Sequence, residues 1–265
     1  MSAPATLDAI VARVRERVAE LKRSAPLERI LAESPTPGAL RRFTASLRVE
    51  RPCVIAEFKR RSPSRGTIRE DLTPFAVAQQ YETAGAAALS VLTEPEFFGG
   101  SLEDLRQARA ATMLPTLRKD FVVDEYQIWE ARLSGADAVL LIVAALDDAE
   151  LRGLLGVAGE ALLDALVEVH DGAELKRALE AGATLIGVNN RDLRTMEVRL
   201  ETSLELIADI PGDVVKVSES GIRSSDDLRR LKAAGFDAFL VGEHLMSAPQ
   251  PGVELSALLR GVGPR

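Results

Sequence analysis

Eight short aliphatic runs recur at nearly regular intervals along this 265-residue chain. They are CVIAEF (53–58), AALSVLT (87–93), LPTLRK (114–119), AVLLIV (138–143), DALVEV (164–169), LIGVN (185–189), VVKVSE (214–219) and AFLVG (238–242). Between them lie stretches such as SLEDLRQARAA and SSDDLRRLKAAG, which open with Ser or acids and repeat Leu at helical spacing. Regular alternation of strand and helix is typical of an α/β protein with a parallel sheet.

A repeated helix-to-strand junction narrows the architecture further. It is seen in TAGAAALSVL, LSGADAVLLI, EAGATLIGVN and AAGFDAFLVG, where Gly85, Gly135, Gly182 and Gly235 stand at the expected left-handed helix ends. These glycines lie 50, 47 and 53 residues apart, which is two strand–helix units each time. Eight such units favour a (β/α)8 TIM barrel over an open doubly wound sheet. An open sheet would also favour a G-x-G-x-x-G turn after the first strand, and RRSPSRG follows instead.

The first 45 residues stand outside this repeat. TLDAIVARVRERVAELKRS predicts an amphipathic helix of about five turns, and PLERILAES predicts a shorter one before the break at Pro35 and Pro37. We therefore expect an N-terminal helical extension over 1–45 and a barrel over 46–265, forming a single domain overall. The extension is expected to plug the barrel or pack on its flank, with coverage of the active-site end as the alternative.

Charged or polar side chains end five of the predicted strands. They are Glu57, Lys59, Lys119, Glu168, Asn189 and Glu219. Strand alternation points these side chains into the barrel near its C-terminal rim, where this fold keeps its active sites. Each one alone is consistent with a structural salt bridge at the rim, but burying a charge costs several kcal/mol unless it is paired. Together they predict a catalytic site, with Glu57 and Lys59 about 7 Å apart and attracting each other by ~2 kcal/mol.

Loops that follow the last two predicted strands have the pattern of a phosphate site. SESGI exposes the backbone N–H groups of Ser220 and Gly221, and LVGEHL repeats the arrangement at Gly242 and Glu243. The RRSPSRG loop adds Ser62 and basic residues that are expected to close over the same anion. Because the Glu243 carboxylate disfavours a nearby phosphate, its side chain is expected to turn outward to solvent.

Aromatic residues make up only 4% of the chain, so their positions are informative. Phe97 and Phe98 follow the second predicted strand, and Phe121 lies just past Lys119. They fit either ordinary loop packing or an apolar slot for a flat ring beside the charged cluster.

Composition limits the partners and the location. A net charge of −7 argues against nucleic acid and against an anionic membrane surface. The single Cys53 and the two histidines give no disulfide framework and no metal-binding spacing. The charged N-terminal stretch lacks the apolar run of a signal peptide, which predicts a cytoplasmic protein. We expect a monomer, with a homodimer as the alternative.

The motifs VIAEFKRRSPSRG, LSVLTEPEFFGGSLEDL, LRKDFVVDEYQIWEARLSGADAVLLI, LVEVHD, IGVNNRDLRTMEV, SESGI and FLVGEHLM occur in this order. The chain resembles the indole-3-glycerol-phosphate synthases of tryptophan biosynthesis, from about Pro52 to Met246, and its extension also looks like theirs. The resemblance implies a decarboxylating, dehydrating ring closure of 1-(2-carboxyphenylamino)-1-deoxyribulose 5-phosphate, with no cofactor and no metal. Glu243 departs from the family, which often has Ser at that position.

By the same resemblance, each residue receives a role. Lys119 is similar to the general acid and Glu168 to the general base, while Glu57 and Lys59 resemble the pair that assists dehydration. The remaining roles are pocket polar groups for Asn189 and Glu219, a contact to the anthranilate end for Arg191, the ring slot for Phe98 and Phe121, and phosphate contacts for Ser62, Ser220, Gly221, Gly242 and Glu243.

Three rival functions stay open at this stage. One is a Schiff-base aldolase that uses Lys119 or Lys59 as its nucleophile. The others are a sugar-phosphate isomerase and a barrel that binds a phosphorylated metabolite without catalysis, which would not need paired acids and lysines at its rim.

Overall fold

The computed structural model describes residues 6–33, 40–49, 52–63, 65–192 and 195–262. Eight parallel strands close into a barrel, in which each strand pairs with the next along the chain and the last pairs with the first. The barrel strands are β1 (Cys53–Phe58), β4 (Ala88–Leu92), β5 (Thr116–Lys119), β6 (Ala138–Ile142), β7 (Asp164–Val169), β8 (Leu185–Asn189), β9 (Val215–Glu219) and β10 (Ala238–Val241). Two further strands, β2 (Arg61–Ser62) and β3 (Gly66–Thr67), form a small antiparallel hairpin after β1. The predicted (β/α)8 TIM barrel is confirmed.

Helices connect the strands and cover the outside of the barrel. Their bounds are α1 (Leu7–Ser24), α2 (Leu27–Glu33), α3 (Phe43–Ser46), α4 (Pro74–Ala84), α5 (Leu102–Ala111), α6 (Glu125–Leu133), α7 (Asp148–Glu160), α8 (Gly172–Glu180), α9 (Glu201–Leu206), α10 (Ser225–Ala234), α11 (Glu243–Ser247) and α12 (Pro251–Arg260). Short 3-10 turns occupy Val143–Ala145 and Ile207–Asp209. No helix in these described ranges combines the length and the apolarity needed to cross a membrane.

Capping residues begin and end the helices at the positions that the sequence indicates. Ser101 and Ser224 cap α5 and α10 by accepting backbone N–H groups of the first turn. At the helix-to-strand junctions, the four repeated glycines have φ angles of 94°, 86°, 91° and 113°. These left-handed conformations are those in which Gly has no side-chain penalty, so the predicted junctions are confirmed.

The N-terminal segment touches three parts of the barrel. Helix α1 lies across the C-terminal end, where Arg17 pairs with Glu94 after β4 and Lys22 pairs with Asp124 after β5. Helix α2 packs against α6 on the flank. Segment 40–47, which contains α3, closes the N-terminal end: Thr44 N donates to Asp164 Oδ2 over 2.7 Å at the start of β7.

Of the two placements left open for the extension, α1 takes the alternative one, over the active-site end, while α2 takes the favoured one on the flank. Helix α1 covers the active-site end because its apolar side, with Ile10, Val14 and Val18, is buried against the barrel mouth while its arginines reach the loops. The Pro35 and Pro37 break lies outside the described residues. The domain boundary at 45/46 stays a prediction.

Candidate active site

A lysine held between two carboxylates forms the centre of the barrel mouth. Lys119 Nζ at the end of β5 lies 3.0 Å from Glu168 Oε2 on β7 and 3.4 Å from Glu219 Oε2 on β9. Both glutamates are almost fully buried, at 1% exposure each. Asn189 on β8 pairs in register with Glu219 and also hydrogen-bonds to Glu168. Four strands therefore aim one polar group each at the same point.

Mutual interaction drives the pKa values of the two carboxyls apart. Burial alone would raise the pKa of Glu168, but the positive charges of Lys119 and His170 outweigh it and hold this pKa well below its usual range. Burial and the negative charge of Glu168 raise the pKa of Glu219 to about 8, although Lys119 opposes the change. The surrounding glutamates also overcome the effect of burial on Lys119 and raise the pKa of its ammonium group. At neutral pH the centre thus holds a charged base, an ammonium and a second carboxyl group that binds a proton more readily than usual.

A second acid–lysine pair lies at the end of β1. Lys59 Nζ is 2.8 Å from Glu57 Oε1, and Ser90 Oγ lies 3.3 Å from Glu57 Oε2. The Glu57 carboxyl is thus held from both sides. The separation of about 7 Å expected from strand geometry is wrong, because the flexible lysine side chain folds back onto its neighbour.

Glycines on β8 and next to β10 make room for these buried carboxyls. A Cβ atom on Gly187 would overlap Glu219 Oε1 and lie 3.2 Å from Leu166 Cδ1. A Cβ atom on Gly242 would overlap Glu57 Oε1 and lie 3.0 Å from Glu57 Cβ. Neither site tolerates an added methyl group without displacing a glutamate.

The loop after β9 has an unusual backbone. Ser220 and Gly221 both have positive φ angles, of 67° and 81°. Such a conformation costs a non-Gly residue free energy and is found preferentially at functional sites. At Gly221 a Cβ atom would also lie 2.7 Å from Val198 Cγ1, so glycine satisfies both the angle and the close approach.

Glu243 does not turn outward to solvent. It opens α11, the short helix after β10, and its side chain is 21% exposed. Its carboxylate pairs with Arg65 over 2.9 Å and with Arg191 over 3.3 Å. The expectation of a solvent-facing side chain is wrong, because two arginines neutralise the carboxylate inside the cavity wall. Burial alone would raise the pKa of Glu243, but the positive charges of Arg65 and Arg191 lower it.

The RRSPSRG loop contributes less positive charge to the cavity than its sequence indicates. Arg60 pairs with Asp104 on α5 and stacks 5.0 Å from the centre of the Phe58 ring, and Arg61 donates to backbone oxygens after β4. Ser62, Pro63 and Arg65 line the cavity. Ser64 of this loop lies outside the described residues.

Two phenylalanines form one side of the site. The Phe98 and Phe121 rings lie 6.0 Å apart between centroids and are tilted by 43°. The loop that carries Phe98 is folded around the fully buried Glu94, whose carboxylate accepts the backbone N–H groups of Phe97 and Phe98 over 2.6 and 3.2 Å. The two rings contact each other and together form an apolar part of the cavity lining.

The acid–lysine pairs, the two phenylalanines and the loops after β9 and β10 surround one cavity of about 330 Å³. Its lining includes all fourteen site residues predicted from the sequence: Glu57, Lys59, Ser62, Phe98, Lys119, Phe121, Glu168, Asn189, Arg191, Glu219, Ser220, Gly221, Gly242 and Glu243. Within the described residues, no group of three or more His, Cys, Asp or Glu side chains is arranged to hold a metal ion. The volume fits a small organic molecule.

Sequence reasoning missed three supporting residues. His170 lies 3.4 Å from Glu168, Ser90 contacts Glu57, and Glu94 organises the Phe98 loop. His170 follows Glu168 by two positions, as Lys59 follows Glu57, so strand alternation carried a signal for it. Ser90 and Glu94 resemble ordinary strand-end residues, and no spacing distinguishes them.

The sequence as a whole identifies the protein family. The family model described as indole-3-glycerol phosphate synthase matches residues 7–258. The chain belongs to this family. It is 49% identical over 256 residues to the indole-3-glycerol phosphate synthase of Albidiferax ferrireducens, covering 95% of this chain and 97% of that one. It is 51% identical over 244 residues to the enzyme of the same name from Chlorobium chlorochromatii, covering 90% and 94%.

More distant solved structures share only the barrel. A 3-hexulose-6-phosphate synthase from Salmonella typhimurium superposes with a TM-score of 0.63 at 14% identity, over 79% of this chain and 98% of that one. A thiamine phosphate pyrophosphorylase from Pyrococcus furiosus gives 0.61 at 16% identity, over 82% and 97%. At such identities the likeness concerns the fold alone.

Proposed function

We propose that this protein is an indole-3-glycerol-phosphate synthase, which closes the indole ring of 1-(2-carboxyphenylamino)-1-deoxyribulose 5-phosphate with loss of CO₂ and water. The observation that carries the proposal is Lys119, held between Glu168 and Glu219 at the bottom of a cavity with an aromatic wall. We infer the substrate from family membership, and the cavity contains groups suited to each step.

Ring closure requires a proton at the substrate's ketone oxygen. The ring carbon that bears the carboxylate attacks the ketone carbon, and the Lys119 ammonium donates the proton as the oxygen becomes negative. The carboxylate then leaves as CO₂, and its bonding electrons restore the aromatic ring. Because neighbouring glutamates raise the pKa of Lys119, it is present as the acid at neutral pH. The same ammonium is a poor nucleophile, which argues against the Schiff-base alternative.

Dehydration requires an acid and a base on the new ring. The hydroxyl leaves as water when protonated, and a proton is lost from the carbon next to the nitrogen. Glu168 is suited to take that proton because its pKa is held low and it is charged. We assign the acid to Lys59, which Glu57 holds at 2.8 Å. Asn189 and Glu219 would hold the polar groups of the intermediate.

Different parts of the cavity lining would orient the two ends of the substrate. Phe98 and Phe121 offer an apolar surface for the anthranilate ring, and Arg191, which pairs with Glu243, would contact the anthranilate carboxylate. The phosphate would bind to backbone N–H groups of the Ser220–Gly221 and Gly242–Glu243 loops, with Ser62 closing from the hairpin. Loops after the seventh and eighth barrel strands, with a short extra helix such as α11, are the usual phosphate site of this fold.

We further propose that the protein acts as a monomer in the cytoplasm. The fourteen predicted site residues all line one cavity of a single chain, which supports a monomer. The single Cys53 is buried and forms no disulfide, as suits a reducing compartment. Light scattering at assay concentration tests the monomer, and fractionation of the host cell tests the location.

Direct assay tests the function. Adding the carboxyphenylamino-deoxyribulose phosphate to the purified protein should produce indole fluorescence, and inorganic phosphate should inhibit competitively. Treatment with borohydride in the presence of substrate should leave the protein mass unchanged. No fluorescence with full binding would favour the non-catalytic alternative, and a trapped adduct on lysine would favour the aldolase.

A further inference from the structure

His170 lies beside the central carboxylate without a role in the steps above. It directly follows β7, and its side chain is only 13% exposed. Its Nε2 atom faces Glu168 Oε1 at 3.4 Å, while the other oxygen of Glu168 receives Lys119. Nε2 is also one of the few buried polar atoms in the described residues that has no regular hydrogen bond.

The other side of the imidazole ring is held firmly. Glu174 Oε2 accepts from Nδ1 over 2.9 Å and from the His170 backbone N–H over 2.8 Å. Glu174 is itself placed in the first turn of α8, where Asp171 caps its backbone N–H over 2.9 Å. A carboxylate at this end of a helix is favoured by the helix dipole. The ring therefore has one orientation, with Nε2 directed at Glu168.

The neighbouring carboxylates determine the charge of the His170 ring. Burial would lower the pKa of His170, but the Glu168 and Glu174 carboxylates raise it to about 10, so the ring is an imidazolium at neutral pH. When Lys119 gives its proton to the substrate, Glu168 loses the cation on one oxygen. The imidazolium on the other oxygen then remains as its counter-charge. The present 3.4 Å contact is about 0.5 Å longer than a charge-assisted hydrogen bond, and such contacts often tighten in the substrate complex.

We propose that His170 is a positioning residue that acts through Glu168: anchored by Glu174, it keeps the Glu168 carboxylate oriented and ionised while Lys119 is engaged with the substrate. This role rests on the proposed function, because it requires Glu168 to be the base. The alternative is a structural role, in which the His170–Glu174 contact only caps α8. The two roles differ in whether the effect of removing His170 depends on Glu168.

A double-mutant cycle separates them. In the wild-type background, His170→Ala should lower kcat about tenfold and change KM less than twofold. In a Glu168→Gln background, the same change should alter the residual kcat less than twofold, because the carboxylate to be positioned is gone. His170→Gln, which keeps a donor without the charge, should lose about threefold. Glu174→Gln should lower kcat by a similar factor, whereas the matched control Glu180→Gln on the exposed side of α8 should not.

Contrary outcomes are distinct. Equal losses from His170→Ala in both backgrounds, or a raised KM at normal kcat, would overturn the positioning role. If His170→Ala does not fold, the same cycle with His170→Gln gives the decision. A wild-type protein that binds inorganic phosphate but produces no indole fluorescence would instead overturn the proposed function, and this role with it.

Discussion

Replacing Gly187 by Ala tests whether the shape of the barrel interior sets the position of Glu219. Gly187 lies on β8 without a left-handed φ angle, so Ala is compatible with its backbone. The only obstacle is space, because the new methyl group would overlap Glu219 Oε1 and lie 3.2 Å from both Glu219 Cδ and Leu166 Cδ1. Carbon atoms in good contact are about 3.5–4.0 Å apart. The Glu219 side chain must therefore swing away and give up its contact with Lys119.

The expected cost has two parts. Inserting a methyl group into a packed interior costs about 1–3 kcal/mol, which corresponds to a melting temperature lower by about 2–5 °C for a chain of this size. Displacing Glu219 should lower kcat by about 10²-fold, because Lys119, the general acid, loses one of the two carboxylates that hold it in position. Fluorescence detection of the indole product and thermal unfolding followed by circular dichroism measure the two effects.

Two further variants identify the cause. Gly153→Ala makes the same chemical change inside α7, where nothing lies within 4 Å of the new methyl group, and it should slightly stabilise the protein at unchanged kcat. In a Glu219→Ala background the overlapping carboxyl is gone and only the 3.2 Å contact with Leu166 Cδ1 remains, so Gly187→Ala should cost less than ~1 kcal/mol of stability. A Gly187→Ala protein with normal kcat and melting temperature would refute the reasoning.

Other predictions concern individual charges of the site. Lys119→Met should lower kcat by about 10²-fold or more at similar KM, and a raised KM alone would contradict its role as acid. Glu57→Gln and Lys59→Met should be strongly non-additive in kcat, since each holds the other; simple addition would show independent action. Glu243→Ser should free two arginines for substrate anions and lower both KM and the inhibition constant of phosphate about fivefold, or ~1 kcal/mol, and unchanged constants would contradict this. His170 faces Glu168 and Glu174, which raise its pKa in the folded protein to about 10. The resulting stabilisation is fully present below the unfolded pKa of about 6.5 and is lost as the pH rises through about 10. His170→Asn should therefore destabilise the protein more at pH 6 than at pH 9.5 in urea unfolding, with about 5 kcal/mol as an upper limit, and an equal loss at both pH values would refute the linkage.

The hydrophobic periodicity and the turn residues of the sequence predicted most of the fold. Strand runs such as LIGVN and junction glycines such as Gly182 are local features, so the sequence alone located them within one or two residues. The same alternation placed Glu57, Lys119 and Glu168 at the inner rim. The expectations that failed depended on partners far away in the chain or, for Glu57 and Lys59, on the conformation of a long flexible side chain.

Glu243 illustrates the effect of distant partners. We expected its side chain to face solvent because a bound phosphate would repel it, but in the structure Arg65, 178 residues away in the sequence, pairs with it. Likewise, the position of α1 follows from acids on loops such as Glu94 and Asp124, and no pattern within α1 indicates which end of a barrel holds them. Long side chains and long separations are where sequence periodicity stops being informative.

The docking of α1 has a consequence for the order in which the molecule is assembled during synthesis. Its arginines Arg13, Arg15 and Arg17 pair with acids that lie 83, 135 and 77 residues further along the chain. During synthesis, helix α1 must therefore wait until the first turn of α7, which carries Glu150, has been made. At about 5–20 residues per second that delay is roughly seven to thirty seconds. The cavity thus receives its outer wall late, from a helix that is made before the barrel strands.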